Sequence, residues 1–393
     1  MLLLFALLPA LGAAEPPTFY RDVLPVLAER CQSCHRTGQA APMPLQTYKQ
    51  TRPWAKAIRE SVLSKRMPPW HADTTAMRYR NDLSLSEVQR RTLIEWVDGG
   101  ALEGDVKQTP TLPAFAEGWR IAKPDVVFSM PEPFDVPAEG TVEYQYFRVP
   151  TNFTEDRWIE MAEVRPSAHA VVHHAIVSIS PRGGGSVFGA QFLAGYAPGS
   201  APQIWKPGVA RLIPAGAVLI FQMHYTASGK PATDRTQVGL VFAKQPPQEV
   251  ALAVRAVNSW FEIPPHAADY KVEAQYTVGE GMKLAAIRPH MHMRGKAFLV
   301  RAVFPDGSAK TVLNVPRYDF HWQPYYYLET PLELPAGTRL ECVARYDNSK
   351  NNPRNPDPDK AVSWGEQSWE EMMIGWFDVL VANPKTARTS SRR

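Results

Sequence analysis

Residues 31–35 read Cys31-Gln32-Ser33-Cys34-His35, and this stretch decides how the N-terminal part of the chain folds. Two thiols separated by two residues, with a histidine directly after the second, form the attachment motif for a covalent haem c: the thiols bond to the vinyl groups and the histidine reaches the iron from the same turn. A thioredoxin-type dithiol and half of a zinc site are the alternatives. The sequence favours neither, because it has no second cysteine pair and a dithiol has no use for the histidine.

A second axial ligand for this haem is predicted downstream of the motif. Met67 is the first candidate, because it precedes Pro68 and Pro69 and prolines hold a ligand loop extended. His71 is the competing ligand. A histidine–methionine pair would give the haem a relatively high potential, whereas two histidines would lower it.

A small helical unit is predicted around the motif, over residues 15–105. The predicted helices run from Asp22 to Cys31, near 55–64, and from a capping-box spacing at Ser84 and Glu87 to Gly99-Gly100. This size and helix content resemble a class I cytochrome c domain. The sequence thus predicts an all-α haem domain at the start of the chain.

The two ends of the chain carry signals of their own. Residues 1–14, MLLLFALLPALGAA, are an apolar run ending in small residues and predict a signal peptide for a periplasmic or secreted destination. That run is too short to span a bilayer, and no later stretch predicts a membrane helix. Residues 384–393 are polar and predicted to be disordered. The net charge of +4, without a basic cluster interleaved with aromatics, argues against a nucleic-acid partner.

Beyond a linker at 106–124, the helical period gives way to apolar runs bounded by Gly, Pro and Asn. Strands are predicted, among others, over 142–149, 170–179, 217–225, 296–304, 338–346 and 373–381. A break at 244–248 divides the region into two β domains, 125–248 and 249–383. The spacing of the runs and the 37 prolines favour short strands in antiparallel sandwiches.

Three histidines of the first β half are candidate metal ligands. His173 and His174 are neighbours, and neighbours on a regular strand point to opposite faces, so sharing a metal requires a bulge or the use of different ring nitrogens. His224, in the run Gln222-Met223-His224-Tyr225, adds a third imidazole. Three imidazoles are a complete set for a copper or zinc ion.

The second β half offers His290 and His292, which would project from the same face of an extended segment. Imidazoles alone would also suit zinc. The soft sulfur of Met372, in Glu370-Glu371-Met372, would select copper(I) instead. Each of these side chains taken alone fits a structural role better than a metal-binding one, so their joint order along the chain carries the hypothesis.

That order is His-His, then Gln-x-His-Tyr, then Arg-x-His-x-His-x-x-Gly, then Glu-Glu-Met. It resembles the copper type II, ascorbate-dependent monooxygenases, the family of peptidylglycine alpha-hydroxylating and dopamine beta-monooxygenases, over residues 125–383. The resemblance implies two jelly-roll-like β domains whose coppers face one another across a solvent-filled cleft. It further implies an electron-transfer copper on the first set and an oxygen-binding copper on the second, with the ligands His173, His174 and His224, and His290, His292 and Met372, respectively.

Several features depart from that family. The three cysteines cannot form its disulfides, and the peptide-amidating branch has Asn and Tyr where this chain has Ile374 and Trp376. Arg288 occupies the position of an arginine that holds a substrate carboxylate, although a structural ion pair is an equal alternative. The identity of the substrate therefore does not transfer.

Other residues are interpreted as structural. His169, His266 and His321 fall outside the matched motifs, and only His169 is a candidate for supporting the ligands, through its closeness to His173. The aromatic run 320–327 is interpreted as core or cleft wall, with a substrate pocket as the alternative.

The sequence as a whole predicts a copper monooxygenase with one covalent haem c and two copper ions. It would hydroxylate a C–H bond of a small-molecule or peptide substrate with O2, and the haem would relay electrons from a periplasmic redox carrier or an ascorbate-like reductant. The alternative is a non-enzymatic periplasmic electron-transfer or copper-binding protein.

Overall fold

The computed structural model describes residues 15–181 and 190–384, which form two compact units. The predicted signal peptide, and all of the predicted tail after residue 384, lie outside the described residues. Unit 1 comprises residues 15–37, 41–68 and 83–114; unit 2 comprises residues 38–40, 69–82 and 115 onwards. Unit 1 is helical and unit 2 is built from strands, so the predicted class, a small helical part followed by β-sheets, is confirmed at that level.

The helices of unit 1 lie close to where the sequence predicts them. They are a π-helical turn Phe19–Val23 that continues into α1 (Leu24–Arg30), α2 (Tyr48–Thr51) with a 3₁₀ turn Arg52–Trp54, α3 (Ala55–Leu63), α4 (Glu87–Asp98) and a 3₁₀ turn Val106–Gln108. Of the four α-helices in the described residues of unit 1, only the short α2 was not predicted. A capping box between Thr47 and Gln50 starts that helix.

The start of α4 corrects the predicted capping box. Ser86 is the N-cap: its hydroxyl accepts from the backbone N–H of Gln89 at 3.2 Å, and the Gln89 side chain accepts from the N–H of Ser86 at 3.0 Å. The predicted pair Ser84 and Glu87 is therefore wrong. Both pairs have the same spacing, but Glu87 is already the first helical residue, where its negative charge favours the helix N-terminus.

The core of unit 1 is formed by the apolar stripes of its helices. Phe19, Leu27, Leu93 and Trp96 are all at most 1% exposed. The Trp96 ring lies 6.0 Å from that of Phe19, and its indole N–H donates to the carbonyl of Leu102 at 2.9 Å. The packing of the π-helical turn against α4 thus buries the largest aromatic side chain, and the Leu102 carbonyl satisfies its polar group.

The strands of unit 2 confirm the predicted runs. Those of the first half are β1 (Val126–Ser129), β2 (Phe134–Val136), β3 (Gln145–Pro150), β4 (Arg157–Arg165), β5 (Val172–Ser180), β6 (Gln191–Tyr196), β7 (Gln203–Ile204), β8 (Val209–Ile213), β9 (Val218–Tyr225), β10 (Ala232–Asp234) and β11 (Gln237–Phe242). Those of the second half are β12 (Glu249–Asn258), β13 (Glu262–Ile263), β14 (Tyr270–Thr277), β15 (Met282–His290), β16 (Gly295–Val303), β17 (Ala309–Val315), β18 (Tyr326–Leu334), β19 (Arg339–Tyr346), β20 (Val362–Ser363) and β21 (Met373–Ala382).

Among the described residues, one nine-stranded sheet runs through both halves of unit 2. Its order is β1-β11-β4-β8-β12-β21-β15-β18, with β7 added to β4. β12 follows the predicted boundary at residue 248 directly, and it pairs in parallel with β8 at Val209 and Ala210. Backbone hydrogen bonding therefore continues across the position where the sequence predicts a domain boundary.

Two four-stranded sheets, β3-β9-β5-β6 and β14-β19-β16-β17, complete the main architecture. In the first half, Ile159 and Val164 of the large sheet share one core cluster with Val177 and Phe221 of a four-stranded sheet. The two sheets thus pack face to face as a sandwich, with the alternate side chains of each strand directed inward.

In the second half, β19 packs closely on β21. A Cβ built on Gly375 of β21 would lie only 2.6 Å from Sγ of Cys342 on β19. Cys342 is 1% exposed and acts there as a small apolar side chain. Glycine is required at position 375 because the opposite sheet leaves no room for a methyl group.

This contact predicts a compensating pair of substitutions. Gly375→Ala should destabilise the protein by about 1–3 kcal/mol through overpacking, and adding Cys342→Ala should recover part of that loss. Urea unfolding of both variants and of Cys342→Ala alone measures the coupling. If the two changes simply add, the close contact is not the cause of the destabilisation.

Residues 69–82, which we call the strap, leave the helical unit and pack within unit 2. The rings of Trp70, Tyr79 and Tyr326 lie 5.0–5.8 Å apart, and the Tyr79 hydroxyl donates to the carbonyl of Val312 at 3.0 Å. The amide of Asn81 donates to the carbonyl of Tyr325 at 2.7 Å. The predicted haem domain, 15–105, is therefore interrupted by a segment whose aromatic side chains are buried elsewhere.

Within the described ranges, no helix is long and apolar enough to cross a membrane.

Candidate metal centre

The predicted haem attachment motif, residues 31–35, lies at the C-terminal end of α1. The backbone N–H groups of Cys34 and His35 both donate to the carbonyl of Cys31, at 3.1 and 2.9 Å, so the three residues share one turn. Nδ1 of His35 lies 3.1 Å from the carbonyl of Met43. A carbonyl only accepts, so Nδ1 carries the proton and Nε2 is left for an iron. The donor set fits a covalently attached haem.

The thiols themselves argue against a redox dithiol. Burial raises the pKa of Cys31 to about 12 and also raises that of Cys34. A catalytic dithiol needs the opposite, a thiol whose pKa is lowered so that it reacts as thiolate. Of the alternatives open for the motif, the thioredoxin-type function is the one this environment disfavours.

The two candidates for the second axial position fall in different units. Met67 belongs to unit 1 with His35, and its N–H donates to the carbonyl of Ser61 at 3.2 Å. His71 belongs to the strap of unit 2. Both ring nitrogens of His71 are buried without a hydrogen-bond partner, and burial lowers its pKa. Met67 is thus the candidate that shares a unit with His35, and its ligation of the iron stays a prediction.

The first histidine set lies on two paired strands of unit 2, β5 and β9. Val172 pairs with Tyr225 and His174 with His224, so His173 is the extra residue of a β-bulge. On a regular strand the two neighbouring histidines would point to opposite faces. The bulge removes this obstacle to their sharing one metal ion. Nδ1 of His173 lies 3.2 Å from Nδ1 of His174, and one ligand atom from each of the three histidines lies within 4.8 Å of the others.

The chemistry of this set fits a copper or zinc ion. Nδ1 of His224 is buried and has no hydrogen-bond partner, although most buried polar atoms have one. A metal ion could bind the two ring nitrogens of His173 and His174, which lie 3.2 Å apart, together with the unpartnered nitrogen of His224.

The buried carboxylate of Asp234 links the segments next to the first histidine set. Asp234 is fully buried, and its Oδ1 accepts from the N–H groups of Ser167 and Ala168 at 2.9 and 3.1 Å. Its Oδ2 accepts from the hydroxyls of Tyr225 and Thr236 at 3.0 and 2.7 Å. One side chain therefore joins the turn that precedes β5 to the end of β9, the two places where the histidines lie.

The second set begins where β15 ends, at His290. Its ring lies 5.1 Å from that of His292. Nδ1 of His290 lies 2.6 Å from Oε1 of Gln323, and Nδ1 of His292 lies 3.2 Å from the carbonyl of Glu370. Both partners are acceptors, so each imidazole donates through Nδ1 and presents Nε2 to a metal.

Met372 directly precedes β21, the strand that pairs with β15. The last pair of this antiparallel ladder joins His290 to Ile374, two residues after Met372. Met372 is 4% exposed, and its carbonyl accepts from the Tyr346 hydroxyl at 2.7 Å. The structure thus brings His290 and His292 together, and ligation by Met372 stays a prediction.

Glu371 ties the histidine loop to the methionine strand. Its carboxylate is fully buried and accepts from the N–H of His292 at 2.8 Å and from that of Arg294 at 2.7 Å. The Arg294 side chain in turn donates to Asn348 and to the carbonyl of Trp369, at 2.7 and 2.8 Å. These bonds fix the backbone of one candidate ligand relative to the next.

Glu371→Gln should loosen the second set and spare the first. The amide group would face a backbone N–H with its own donor, which costs about 1–3 kcal/mol, and copper affinity at the second set should fall about 10- to 100-fold. Glu370→Gln is the matched control, because the contact to His292 comes from the Glu370 backbone. Equal copper affinities in both variants, measured by chelator competition, would contradict this role.

Phe320 and His321 lie between the two sets. The sequence favours a structural role for His321 and a core or cleft-wall role for Phe320. The Phe320 ring lies 5.9 Å from that of His292 and 5.6 Å from that of His321. The His321 ring lies 5.5 Å from that of His173. Phe320 thus contacts a candidate ligand of the second set, and His321 contacts one of the first. His321, predicted to be structural and outside the motifs, therefore lies beside a candidate metal ligand.

The imidazoles of both sets are neutral at neutral pH. Burial is the main cause, and it lowers the pKa of His173, His224 and His292 to about 4 and that of His290 to about 3. Burial also lowers the pKa of His174 well below its usual value. His292 is among the groups that lower the pKa of His224, and His290 contributes in the same way at His174. The sets therefore share one electrostatic environment, and neutral imidazoles are the form that binds metals.

Arg288 lies among aromatic rings. Its guanidinium carbon is 4.9 Å from the Tyr325 ring centroid, 5.5 Å from that of Phe192 and 6.0 Å from that of Trp376. Its Nε is buried without a partner, and the neighbouring carboxylate of Asp378 pairs with Arg211 at 3.5 Å instead. Of the two predicted roles, the structural ion pair is not formed among the described residues.

Two of the remaining histidines contact other side chains. Nδ1 of His169 lies 3.0 Å from the Tyr196 hydroxyl, and His266 pairs with Asp359 at 3.3 Å.

Tyr144, which no motif indicated, stacks on His224 with ring centroids 4.8 Å apart. An aromatic residue within a predicted strand is too common in sequences to signal such a contact.

Comparisons with known proteins identify no family. No family model and no curated protein match the chain. Similar solved structures include the major capsid protein P2 from bacteriophage PM2, 8% identical over 66% of this chain and 99% of that chain with a TM-score of 0.27. Another is the structure of infectious bursal disease virus, Gx strain, 8% identical over 68% of this chain and 75% of that chain with a TM-score of 0.18. At these values they indicate no function.

Proposed function

We propose that this protein is a copper-dependent monooxygenase of the ascorbate-dependent type II class, with its own haem domain. The observation that carries the proposal is the assembly of two neighbouring imidazole sets within one unit. One set contains His173, His174 and His224, which lie within 4.8 Å at their ligand atoms; the other contains His290 and His292, and we assign to it Met372, which directly precedes the neighbouring strand β21. A thioether beside imidazoles favours copper over zinc.

The finer fold belongs to the same proposal. We assign unit 1 as a class I cytochrome c domain, supported by the single turn that holds both thiols and by the free Nε2 of His35. We assign unit 2 as two jelly-roll-like β domains, 125–248 and 249–383. Each half supplies one four-stranded sheet and one ligand set, which supports that division.

The proposed reaction is R–H + O2 + 2 electrons + 2 protons → R–OH + H2O. The C–H bond of the substrate is oxidised, dioxygen is reduced, and both electrons come from outside the substrate. Copper bound at the two sets would supply one-electron redox chemistry and reactivity toward oxygen, and a haem would supply electrons singly. In this proposal the first set is the electron-transfer site and the second the oxygen-binding site.

The residues of the chain itself would hold the metals and orient the substrate. Gln323 and the Glu370 carbonyl keep His290 and His292 in the tautomer that presents Nε2. The Arg288 guanidinium, with an unpartnered Nε and aromatic rings around it, would bind an anionic group of the substrate. This favours a small molecule or peptide that carries a carboxylate.

The location and partners follow from the chemistry. A covalent haem and an N-terminal signal-like run support a periplasmic or secreted protein. The electron donor would be a periplasmic redox carrier or an ascorbate-like reductant, and O2 the second substrate.

Metal analysis and a single-turnover experiment test the proposal. Holoprotein should contain one haem and about two copper ions per chain. After anaerobic reduction of the haem, oxygen should reoxidise it quickly in the copper-loaded protein and slowly in the copper-free protein. Carboxylate-bearing peptides and small molecules are then screened under isotope-labelled dioxygen for a product that carries one labelled oxygen atom.

The outcomes separate the candidate functions. Reoxidation that does not depend on copper overturns the proposed route. Copper-dependent reoxidation that yields peroxide, with no labelled product from the substrate panel, instead supports the non-enzymatic electron-transfer or copper-binding function. Zero copper stoichiometry excludes the monooxygenase and the copper-binding function, and leaves only electron transfer through the haem.

A further inference from the structure

We infer that His321 is a fourth imidazole ligand of the first metal site, supplied from the other half of unit 2. The inference deepens the proposed function and rests on its assignment of His173, His174 and His224 as a metal site. It adds a ligand that no motif places there, and it makes that site depend on both β halves.

The ring distances place His321 with the set. Its ring centroid lies 5.5 Å from that of His173, with the planes at 85°. The His173 and His174 rings are also 5.5 Å apart, and those of His174 and His224 are 4.9 Å apart. The His321 ring is thus as close to the His173 ring as the His174 ring is.

The position of His321 leaves its ring free to turn toward a metal. It is exposed, whereas the other three histidines are half-buried, and among the described residues no hydrogen bond reaches its ring nitrogens. Its ligand atoms lie outside the 4.8 Å group formed by the other three. Ligation therefore requires the His321 ring to move toward the other three imidazoles.

The backbone beneath His321 is held in place. Its N–H donates to Oδ1 of Asp319 at 3.0 Å, and the other oxygen of Asp319 accepts from Arg354 at 2.7 Å. The next side chain toward the N-terminus, Phe320, is 3% exposed and packs on His292. A fixed backbone with a free ring suits a ligand that completes a site.

Copper chemistry gives the fourth ligand a purpose. Copper(II) favours a tetragonal set of four nitrogen or oxygen ligands, whereas three imidazoles leave one of those positions open. A fourth imidazole would occupy it and shield the ion from solvent. We therefore expect His321 to strengthen binding of copper(II) at the first site.

The test isolates the first site in the full-length chain. His290→Ala/His292→Ala removes the second set, and Cu2+ is titrated into this background with and without His321→Ala. His266→Ala is the matched control, because it also removes an exposed histidine. Affinity is measured by chelator competition, and electron paramagnetic resonance counts the coupled nitrogens.

We expect His321→Ala to weaken Cu2+ binding at least about 10-fold, to remove one coupled nitrogen and to reduce the rise in melting temperature on binding. His266→Ala should change none of these. Unchanged affinity and spectrum in His321→Ala overturn the inference and leave the proposed function intact. A background that binds no Cu2+ overturns both, because the first site is then not a metal site. Equal melting temperatures of the metal-free variants show that folding is unaffected.

Discussion

Replacing His174 by alanine is expected to remove copper from the first set and to slow oxygen-dependent reoxidation of the reduced haem at least about 100-fold. His174 is directly paired with His224 in the β5–β9 ladder and lies 3.2 Å from His173 at its Nδ1. Its loss leaves two imidazoles, which is too few to retain a copper ion against competing ligands. Stopped-flow absorbance of the haem measures the rate, and metal analysis should fall from about two coppers per chain to about one.

The control for this variant is His169→Ala. His169 lies only five positions earlier, but its contact is with the Tyr196 hydroxyl at 3.0 Å. It should retain two coppers and reoxidise at a rate close to wild type. If His174→Ala also reoxidises at the wild-type rate with its first site empty, electrons reach oxygen without that site and the proposed division of labour fails.

The parts of the molecule that follow from local rules were predictable. The thiols and histidine of residues 31–35 lie in one turn because the motif is a single turn in length, and α3 and α4 end where apolar periodicity and glycine indicate. Even there, two capping pairs of equal spacing overlapped. The choice of Ser86 over Ser84 depends on which residue leaves the helical conformation first, which composition does not reveal.

Long-range packing was the part that the sequence did not reveal. The strap leaves the helical unit because Trp70 and Tyr79 are buried against Tyr326, which lies 256 and 247 positions further along the chain, respectively. The pairing of β8 with β12 was also not predictable: the proline-rich break at 244–248 has the composition of a linker, but it connects two strands of one sheet. Composition describes a segment and not its partners.

In the candidate site, too, the residues in short motifs were predictable, and those brought in by long-range packing were not. The six predicted ligands came from short motifs, and the bulge at His173 resolves the one geometric conflict among them. Phe320, His321 and Gln323 belong to an aromatic segment with no ligand spacing, and only the fold brings them against His292, His173 and His290. Residues that support or connect metal sites are selected by position in space, so a single sequence gives little sign of them.

Asp234 is expected to be the most destabilising position to truncate near the first set. Its fully buried carboxylate accepts from two backbone N–H groups and three hydroxyls. Asp234→Ala leaves buried donors without acceptors, at about 1–3 kcal/mol each, so a loss of at least about 4 kcal/mol is expected in urea unfolding. Copper affinity of the first set should fall in the same variant, because Tyr225 and the turn before β5 lose their common anchor.

Asp234→Asn separates the two effects. The amide oxygen still accepts from the N–H groups of Ser167 and Ala168, and the amide nitrogen meets hydroxyls that can turn to accept. We therefore expect a loss of only about 1–2 kcal/mol and near-normal copper binding. An alanine variant that unfolds like the asparagine variant would mean that the carboxylate does not anchor the strands. If Asp234→Ala is destabilised but binds copper normally, the bulge at His173 holds the histidines in place without this support.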